Sequence, residues 1–204
     1  MKGHFTLHPD DRVVILVQNL PVPFDRRVWQ EAKHLASRGL KVTVICPSGE
    51  GHPVGHFIQD GVDIQRYKSP PEATSLLGYL LEYTVSLVKM QFHLRSWSRR
   101  DRIKVIQYCN PPDLLFLAAW PYKMFKGARI IFDQHDLGPE LLEAKGLSRN
   151  SLVRKFGFLI ESLSYRFADR VISTNLSYAE KAHERGKKEP DEIFVVRSGP
   201  NRNW

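Results

Sequence analysis

His135 stands directly after an apolar, strand-forming run, and ionisable residues surround it. The run and its continuation read Ile130-Ile131-Phe132-Asp133-Gln134-His135-Asp136-Leu137-Gly138-Pro139-Glu140. An imidazole donates through one ring nitrogen and accepts through the other, and it becomes a cation near neutral pH. His135 is therefore suited to binding a ligand hydroxyl or phosphate, or to moving a proton, with Asp133 or Asp136 fixing its tautomer. The alternative is a histidine satisfied by loop backbone.

Polar residues also follow other predicted strands. Since the carboxyl ends of parallel strands meet at one edge of a sheet, we expect these residues to surround a crevice together with His135. They are Gln18, Asn19, Asn110, Thr174 and Asn175. The alternative is that Asn, Asp and Thr only cap the helices that follow, an interpretation that suits Asp113 and Asn175.

The loop after the first predicted strand lacks the GxGxxG pattern of dinucleotide-binding proteins. Asp25, Arg26 and Arg27 open the next helix instead, where an arginine could clamp a phosphate or carboxylate. Alternatively, Arg26 and Arg27 are solvated and pair only with Asp25 or Glu31. The chain has no GxSxG or P-loop motif, and no HxH, HExxH or cysteine pair adjoins His135. We therefore expect no zinc site and no dinucleotide cofactor, and nothing in these motifs favours a hydrolase or a kinase.

Strand-type and helix-type segments alternate along the chain. Seven strands are predicted, at 13–17, 41–46, 62–67, 104–108, 128–133, 170–174 and 193–196. Helices are predicted from the Asp25 cap to Gly39 and at 113–125, 151–167 and 177–185, while 47–61 is rich in Gly, His and Pro and is predicted to be a loop. This order indicates an α/β fold with a doubly wound, mostly parallel, Rossmann-like sheet.

The segment 74–97 is strongly apolar and allows three interpretations. It could be a helix packed on the sheet, a partly exposed interfacial helix, or a membrane span. Glu82, Lys89 and His93 interrupt it, and basic residues follow it.

Composition limits the partners and the compartment. The 30 basic and 22 acidic residues give a net charge of +8, which favours polyanions or anionic lipid. Nucleic acid is not an expected partner, because the basic residues are not interleaved with stacking aromatics. Cys46 and Cys109 show no metal-type spacing, which indicates reduced thiols, and residues 1–11 do not resemble a secretory signal. We expect a cytoplasmic protein with a tail at 1–11, one domain at 12–197 and a linker beginning at 198–204.

Four segments resemble glycosyltransferase family 4, in the family's order. Residues 24–45 resemble its opening βαβ unit, including the D-x-R-V-x-x-E-A pattern of one branch, at Asp25 to Ala32. Residues 133–140 resemble its D-x-H-D-x-x-P-E signature, and 169–175 and 195–201 resemble its later strands and the crossing into a second domain. The resemblance implies one half of a GT-B fold, namely the amino-terminal, acceptor-side domain.

The same resemblance implies a function and its residues. A complete enzyme of this kind would transfer a sugar, with retention and without a metal, from a nucleotide-diphosphate sugar to a glycan or lipid-linked acceptor. His135 would be catalytic, and Asn19, Asp25, Arg27, Asn110 and Asp136 would bind substrate. The chain would need a donor-binding domain or partner subunit, and an anionic membrane surface is a further expected partner. Half of a sugar-nucleotide epimerase and a non-catalytic module that recruits a partner or membrane are the alternatives.

Overall fold

A computed structural model describes residues 6–9, 11–70, 75–144, 146, 151–197 and 199. Its strands are β1 Arg12–Leu16, β2 Lys41–Pro47, β3 Gly55–Gln59, β4 Val62–Tyr67, β5 Ile103–Cys109, β6 Arg129–Gln134, β7 Arg170–Ser173 and β8 Ile193–Val195. Its α-helices are α1 Arg26–Ser37, α2 Leu76–Trp97, α3 Phe116–Lys126, α4 Gly138–Ala144, α5 Ser151–Phe167 and α6 Leu176–Gly186. Short 3-10 turns lie at Asp113–Leu115 and Pro190–Glu192. The predicted tail lies partly outside the described residues, as does the predicted linker start except Gly199.

One sheet holds all eight strands, in the order β3-β4-β2-β1-β5-β6-β7-β8. Every pairing is parallel except that of β3 with β4. The strand order reverses at β1, which pairs with β2 on one side and β5 on the other. The doubly wound, mostly parallel sheet is thus confirmed, and its switch point lies between β1 and β5, where such folds bind ligands.

The predicted loop at 47–61 contains a strand, so the described residues form eight strands where seven were predicted. β3 pairs with β4 in an antiparallel hairpin that turns at Asp60 and Gly61. Both residues have positive φ, 48° and 77°. An Asp-Gly pair with this geometry is typical of tight two-residue hairpin turns. The turn signal was present, but the His- and Gly-rich residues before it concealed the strand. The short helix α4 was also not predicted.

Two apolar layers sandwich the sheet. On one face, Val28 and Ala32 of α1 pack on Ile15, Val17 and Val44. On the other face, helices α2, α3, α5 and α6 contribute buried side chains that include Met90, Leu94, Phe116, Tyr165 and Ala182. Helix α1 ends as predicted, because Gly39 adopts a φ of 83°, which is unfavourable for other residues.

Helix α2 is packed on the sheet but keeps an apolar outer face. Met90, Leu94 and Trp97 are buried, whereas Leu77 is 77% and Phe92 71% exposed. None of the described helices is both long and apolar enough to cross a membrane. Helix α2 is thus packed on the sheet as one interpretation predicted, while its exposed side has the composition that the interfacial interpretation predicted.

Candidate functional site

The buried carboxylate of Asp133 is the centre of a polar cluster at the end of β6. The side chain is 0% exposed. Its Oδ2 accepts from His135 Nε2 at 2.8 Å, from Arg27 Nε at 3.2 Å and from Gln107 Nε2 at 3.4 Å. Its Oδ1 accepts from Arg27 Nη2 at 2.8 Å. These charge-assisted hydrogen bonds compensate the cost of burying an ionised group.

Strand alternation and one helical turn bring this cluster together. Gln107 and Cys109 lie two positions apart on β5, so both point to the face that α1 covers. Cys109 stands beside Asp133 in the parallel register of β5 and β6. Arg27 and Glu31 are four residues apart on α1 and therefore lie on one side of that helix. Helix α1, the switch point and β6 thus position the site.

The charges of the cluster shift one another's titration. Burial raises the pKa of Asp133, but the hydrogen bonds from His135 and Arg27 outweigh it, so the net pKa is below its ordinary value. Burial lowers the pKa of His135, yet the hydrogen bond and charge of Asp133 raise it above its ordinary value. Burial and the charge of Asp133 raise the pKa of Glu31 to about 7. The site therefore holds groups that exchange protons near neutral pH.

The hydrogen bond to Asp133 determines the tautomer of the neutral His135 ring. Because Nε2 donates to the carboxylate, the neutral ring keeps its lone pair on Nδ1. The side chain is 14% exposed. Nδ1 can accept from a hydroxyl when the ring is neutral and can donate to an anion when the ring is charged.

Asn110 builds the loop that carries His135. Its Oδ1 accepts from the backbone N–H of His135 at 2.7 Å and of Asp136 at 3.3 Å. Its Nδ2 donates to the carbonyl of Asp136 and to Asp113 Oδ1, both at 2.8 Å. Asn110 is 1% exposed, so the observed role is to hold the loop in shape.

The remaining predicted residues divide into groups with different surroundings. Asn19 is exposed in the loop after β1. Asp25 caps α1, accepting from the backbone N–H of Val28 at 3.1 Å. Asp136 takes part through its backbone, in the bonds with Asn110. Arg27 and His135 thus share the Asp133 carboxylate, and Asn110 binds the backbone of His135. The Asp25 carboxylate caps α1 and lies close enough for its charge to act on His135, whereas Asn19 is exposed.

Several local alternatives are decided by these contacts. Arg27 pairs with Asp133, so the prediction that it pairs only with Asp25 or Glu31 was wrong. Asn175 caps α6 as predicted, accepting from the Tyr178 backbone N–H. Asp113 makes no capping bond and binds Asn110 instead, and burial together with the charge of Glu161 raises the pKa of Asp113 to about 7.

Two members of the cluster were missed. Glu31 accepts from Gln107 Nε2 at 2.7 Å, and the same amide nitrogen reaches Asp133. Gln107 had a recognisable signal, because it interrupts the apolar run from Val105 to Cys109. Glu31 had a signal in its four-residue spacing from Arg27 and as the acid of the D-x-R-V-x-x-E-A pattern, but it was considered only as an ion-pair partner of the arginines.

Cys109, Asp133 and His135 could offer ligands to a metal ion, since their ligand atoms lie within 4.8 Å of one another. The donor set is a poor fit for a divalent ion, because the guanidinium of Arg27 already neutralises the Asp133 carboxylate and would repel a second cation. Burial also raises the pKa of the Cys109 thiol well above its ordinary value, which opposes the thiolate form that binds metals.

An apolar cavity of about 120 Å³ opens beside the loops that carry His135 and Asn110. Pro111, Pro112 and Asp113 form one wall. Apolar side chains of α2, α4 and α5 form the others, among them Leu80, Leu141, Leu142, Phe156 and Ile160. The cavity is apolar and larger than a single water molecule needs, so it can hold a small apolar group.

Comparisons with known proteins agree with this fold. A family model described as a glycosyl transferase 4-like domain matches residues 25–199. Sucrose-phosphate synthase from Thermosynechococcus elongatus superposes with a TM-score of 0.69 and 15% identity, over 94% of this chain and 49% of that one. A glycosyltransferase from Rickettsia africae superposes with a TM-score of 0.55 and 12% identity, over 95% of this chain and 44% of that one. The glycotransferase of kitacinnamycin superposes with a TM-score of 0.58 and 13% identity, over 95% of this chain and 53% of that one.

The chain spans about half the length of these solved structures. At such identities the likeness concerns the fold. No curated protein matches the sequence.

Proposed function

The chain belongs to the family of glycosyl transferase 4-like domains, and from this premise we propose that it is the acceptor-side half of a retaining glycosyltransferase. The complete enzyme would move a sugar from a nucleotide-diphosphate sugar to a glycan or lipid-linked acceptor. The observation that supports this most directly is His135, held by the buried Asp133 at the carboxyl end of β6 beside the switch point.

The reaction breaks the bond between the sugar and the diphosphate and forms a bond to an acceptor hydroxyl. His135 suits the first event, since Nδ1 can hydrogen-bond a donor hydroxyl or phosphate oxygen while Asp133 keeps the ring oriented. A donor-binding domain or partner subunit would supply most of the stabilisation of the leaving diphosphate. The proposed mechanism uses no metal.

The apolar cavity supports an acceptor that carries an apolar group. It adjoins Asn110 through Pro111 and Pro112, so an acceptor anchored there would present its polar end near His135. The outer face of α2 supports peripheral membrane contact from the cytoplasmic side, because exposed apolar residues lie beside exposed Arg95 and Arg99.

Sugar transfer tests the proposal directly. The chain is combined with the donor-binding half of a family member, and release of nucleoside diphosphate is followed with a set of nucleotide sugars and acceptors. We expect transfer that falls at least about 100-fold in His135→Ala, the usual scale for one oriented polar group. His34→Ala on the exposed side of α1 is the matched control. Folded but inactive combinations with every donor would instead support a non-catalytic recruiting module.

Membrane contact has a separate test. Purified chain is floated with vesicles with and without anionic lipid, and Phe92→Ser is compared with Ile58→Ser, since Phe92 is 71% and Ile58 73% exposed on different elements. We expect anionic vesicles to recover the wild type and Ile58→Ser but less of Phe92→Ser. Equal recovery without anionic lipid would contradict the electrostatic part of the proposal.

A further inference from the structure

We propose that Arg27 is a positioning residue that joins the end of β8 to the carboxylate that orients His135. The effect of Arg27 on sugar transfer rests on the proposed function, whereas the link that Arg27 makes between β8 and His135 does not. Substrate binding was the role expected for Arg27 from its sequence context, and the geometry points to this different one.

The guanidinium of Arg27 binds two separate parts of the chain. Nε and Nη2 bind the two oxygens of Asp133 at 3.2 and 2.8 Å. Nη1 donates to the backbone carbonyl of Val196 at 2.9 Å. The planar, rigid fork of an arginine matches this arrangement, whereas a lysine ammonium reaches fewer acceptors in fixed directions.

β8 is an element that benefits from such an anchor. It has three residues and lies at the edge of the sheet. Phe194 is 50% and Val195 38% exposed, so little burial stabilises it. The backbone N–H of Val196 donates to the Ser173 carbonyl of β7 at 2.9 Å. The carbonyl of Val196 accepts from Arg27, so Val196 is held on both sides of its backbone. Arg27 therefore holds the end of β8 from the side of the functional site.

Within the protein, the carboxylate of Asp133 balances the charge of Arg27. Asp133 is buried and pairs with both Arg27 and His135, so the cation and the imidazole share one carboxylate. Any movement of Arg27 with the segment after β8 would change the field at His135 and the orientation of Asp133. The position of that segment is thus linked to the state of His135.

The coupling is measured on the 204-residue chain without donor or acceptor. Arg27→Met, Arg27→Lys and the control Arg26→Met, which changes the exposed neighbour, are compared by ¹⁵N NMR titration of His135 and by hydrogen exchange of the Val196 amide. In Arg27→Met we expect exchange at Val196 to speed at least about tenfold, the scale of one charged hydrogen bond. The pKa of His135 should rise, because the guanidinium charge opposes its protonation.

Arg27→Lys separates charge from geometry and guards against a variant that fails to fold. It should keep the pKa of His135 near the wild-type value while exchange at Val196 still accelerates. The proposal is overturned if Arg27→Met shifts neither property, or only one of them, relative to Arg26→Met. In the active two-domain assembly, Arg27→Met should lower kcat with little change in KM. A raised KM alone would indicate substrate binding and overturn the positioning role.

Discussion

Arg27 Nη2 lies 2.8 Å from Asp133 Oδ1, although 106 residues separate the two positions in the sequence. The contact joins the first helix to the end of the sixth strand across the switch point. The other carboxylate oxygen, Oδ2, binds the ring of His135, so the position of Asp133 sets the orientation of that ring. The orientation of the proposed catalytic histidine therefore depends on a residue of α1.

Asp133→Ala should be strongly destabilising. Removing the carboxylate leaves the guanidinium of Arg27, 13% exposed, without its main counter-charge. Loss of one partner of a buried ion pair costs about 3 kcal/mol or more. Urea denaturation measures the free energy of unfolding. The control is Glu184→Ala, which breaks an exposed pair with Lys181 and should leave that free energy unchanged. A similarly small effect of Asp133→Ala would contradict this account.

Stability should depend on the protonation of His135. Its folded pKa is raised, so its contribution is fully present below the unfolded value of about 6.5 and is lost as pH rises through the folded value. The groups facing it are Asp133, Arg27, Asp25 and Glu31.

The stability difference between the wild type and His135→Gln should therefore shrink as the pH rises above about 6.5 and through the raised folded pKa of His135. Chemical denaturation at several pH values measures it. A difference that grows with pH would show that the shift has the opposite sign.

Asn110→Ala should loosen the loop that carries His135. The substitution removes the acceptor of two backbone N–H groups, and a buried donor left unsatisfied costs about 1–3 kcal/mol. Faster amide exchange at His135 and a lower free energy of unfolding are the expected results. Asn110→Asp keeps the acceptor but places a carboxylate beside Asp113, so it should also destabilise, least at low pH. Amide exchange of His135 at the wild-type rate in both variants would show that Asn110 does not hold the loop.

Asp25 can be tested for two roles at once. Asp25→Ala should cost about 1 kcal/mol through loss of the α1 cap, and Asp25→Ser should restore most of it. If Asp25 also binds the acceptor, Asp25→Ser will remain deficient in sugar transfer despite its restored stability. Thermal unfolding and the transfer assay together distinguish the two roles. If Asp25→Ser recovers both stability and sugar transfer, Asp25 acts only as the cap of α1.

Both cysteines should be inert in the folded chain. Cys46 and Cys109 are free and buried, and burial raises the pKa of Cys46 to about 11. Since the thiolate is the reactive form, a disulfide-exchange reagent should modify them only after denaturation. Titration with such a reagent before and after adding guanidinium measures this. Rapid reaction of the native protein would show that the core around them opens.

The sequence predicted the fold well where local patterns suffice. The run Val13 to Val17 indicated a doubly buried strand, and Asp25 and Gly39 marked the two ends of α1. The hairpin strand β3 was missed because five mostly exposed residues carry little hydrophobic signal. What defines β3 is pairing with β4, a contact that forms only in the sheet.

By itself, the sequence determined that polar residues follow several strands and that His135 is one of them. Only the tertiary structure decided that Asp133, not Asp136, holds its ring, and that Arg27 and Gln107 share the same carboxylate. The physical reason is that spacing along a chain predicts which element and which face a residue occupies. Contacts between elements depend instead on strand register and helix packing, which place Arg27 within 2.8 Å of a carboxylate 106 residues away.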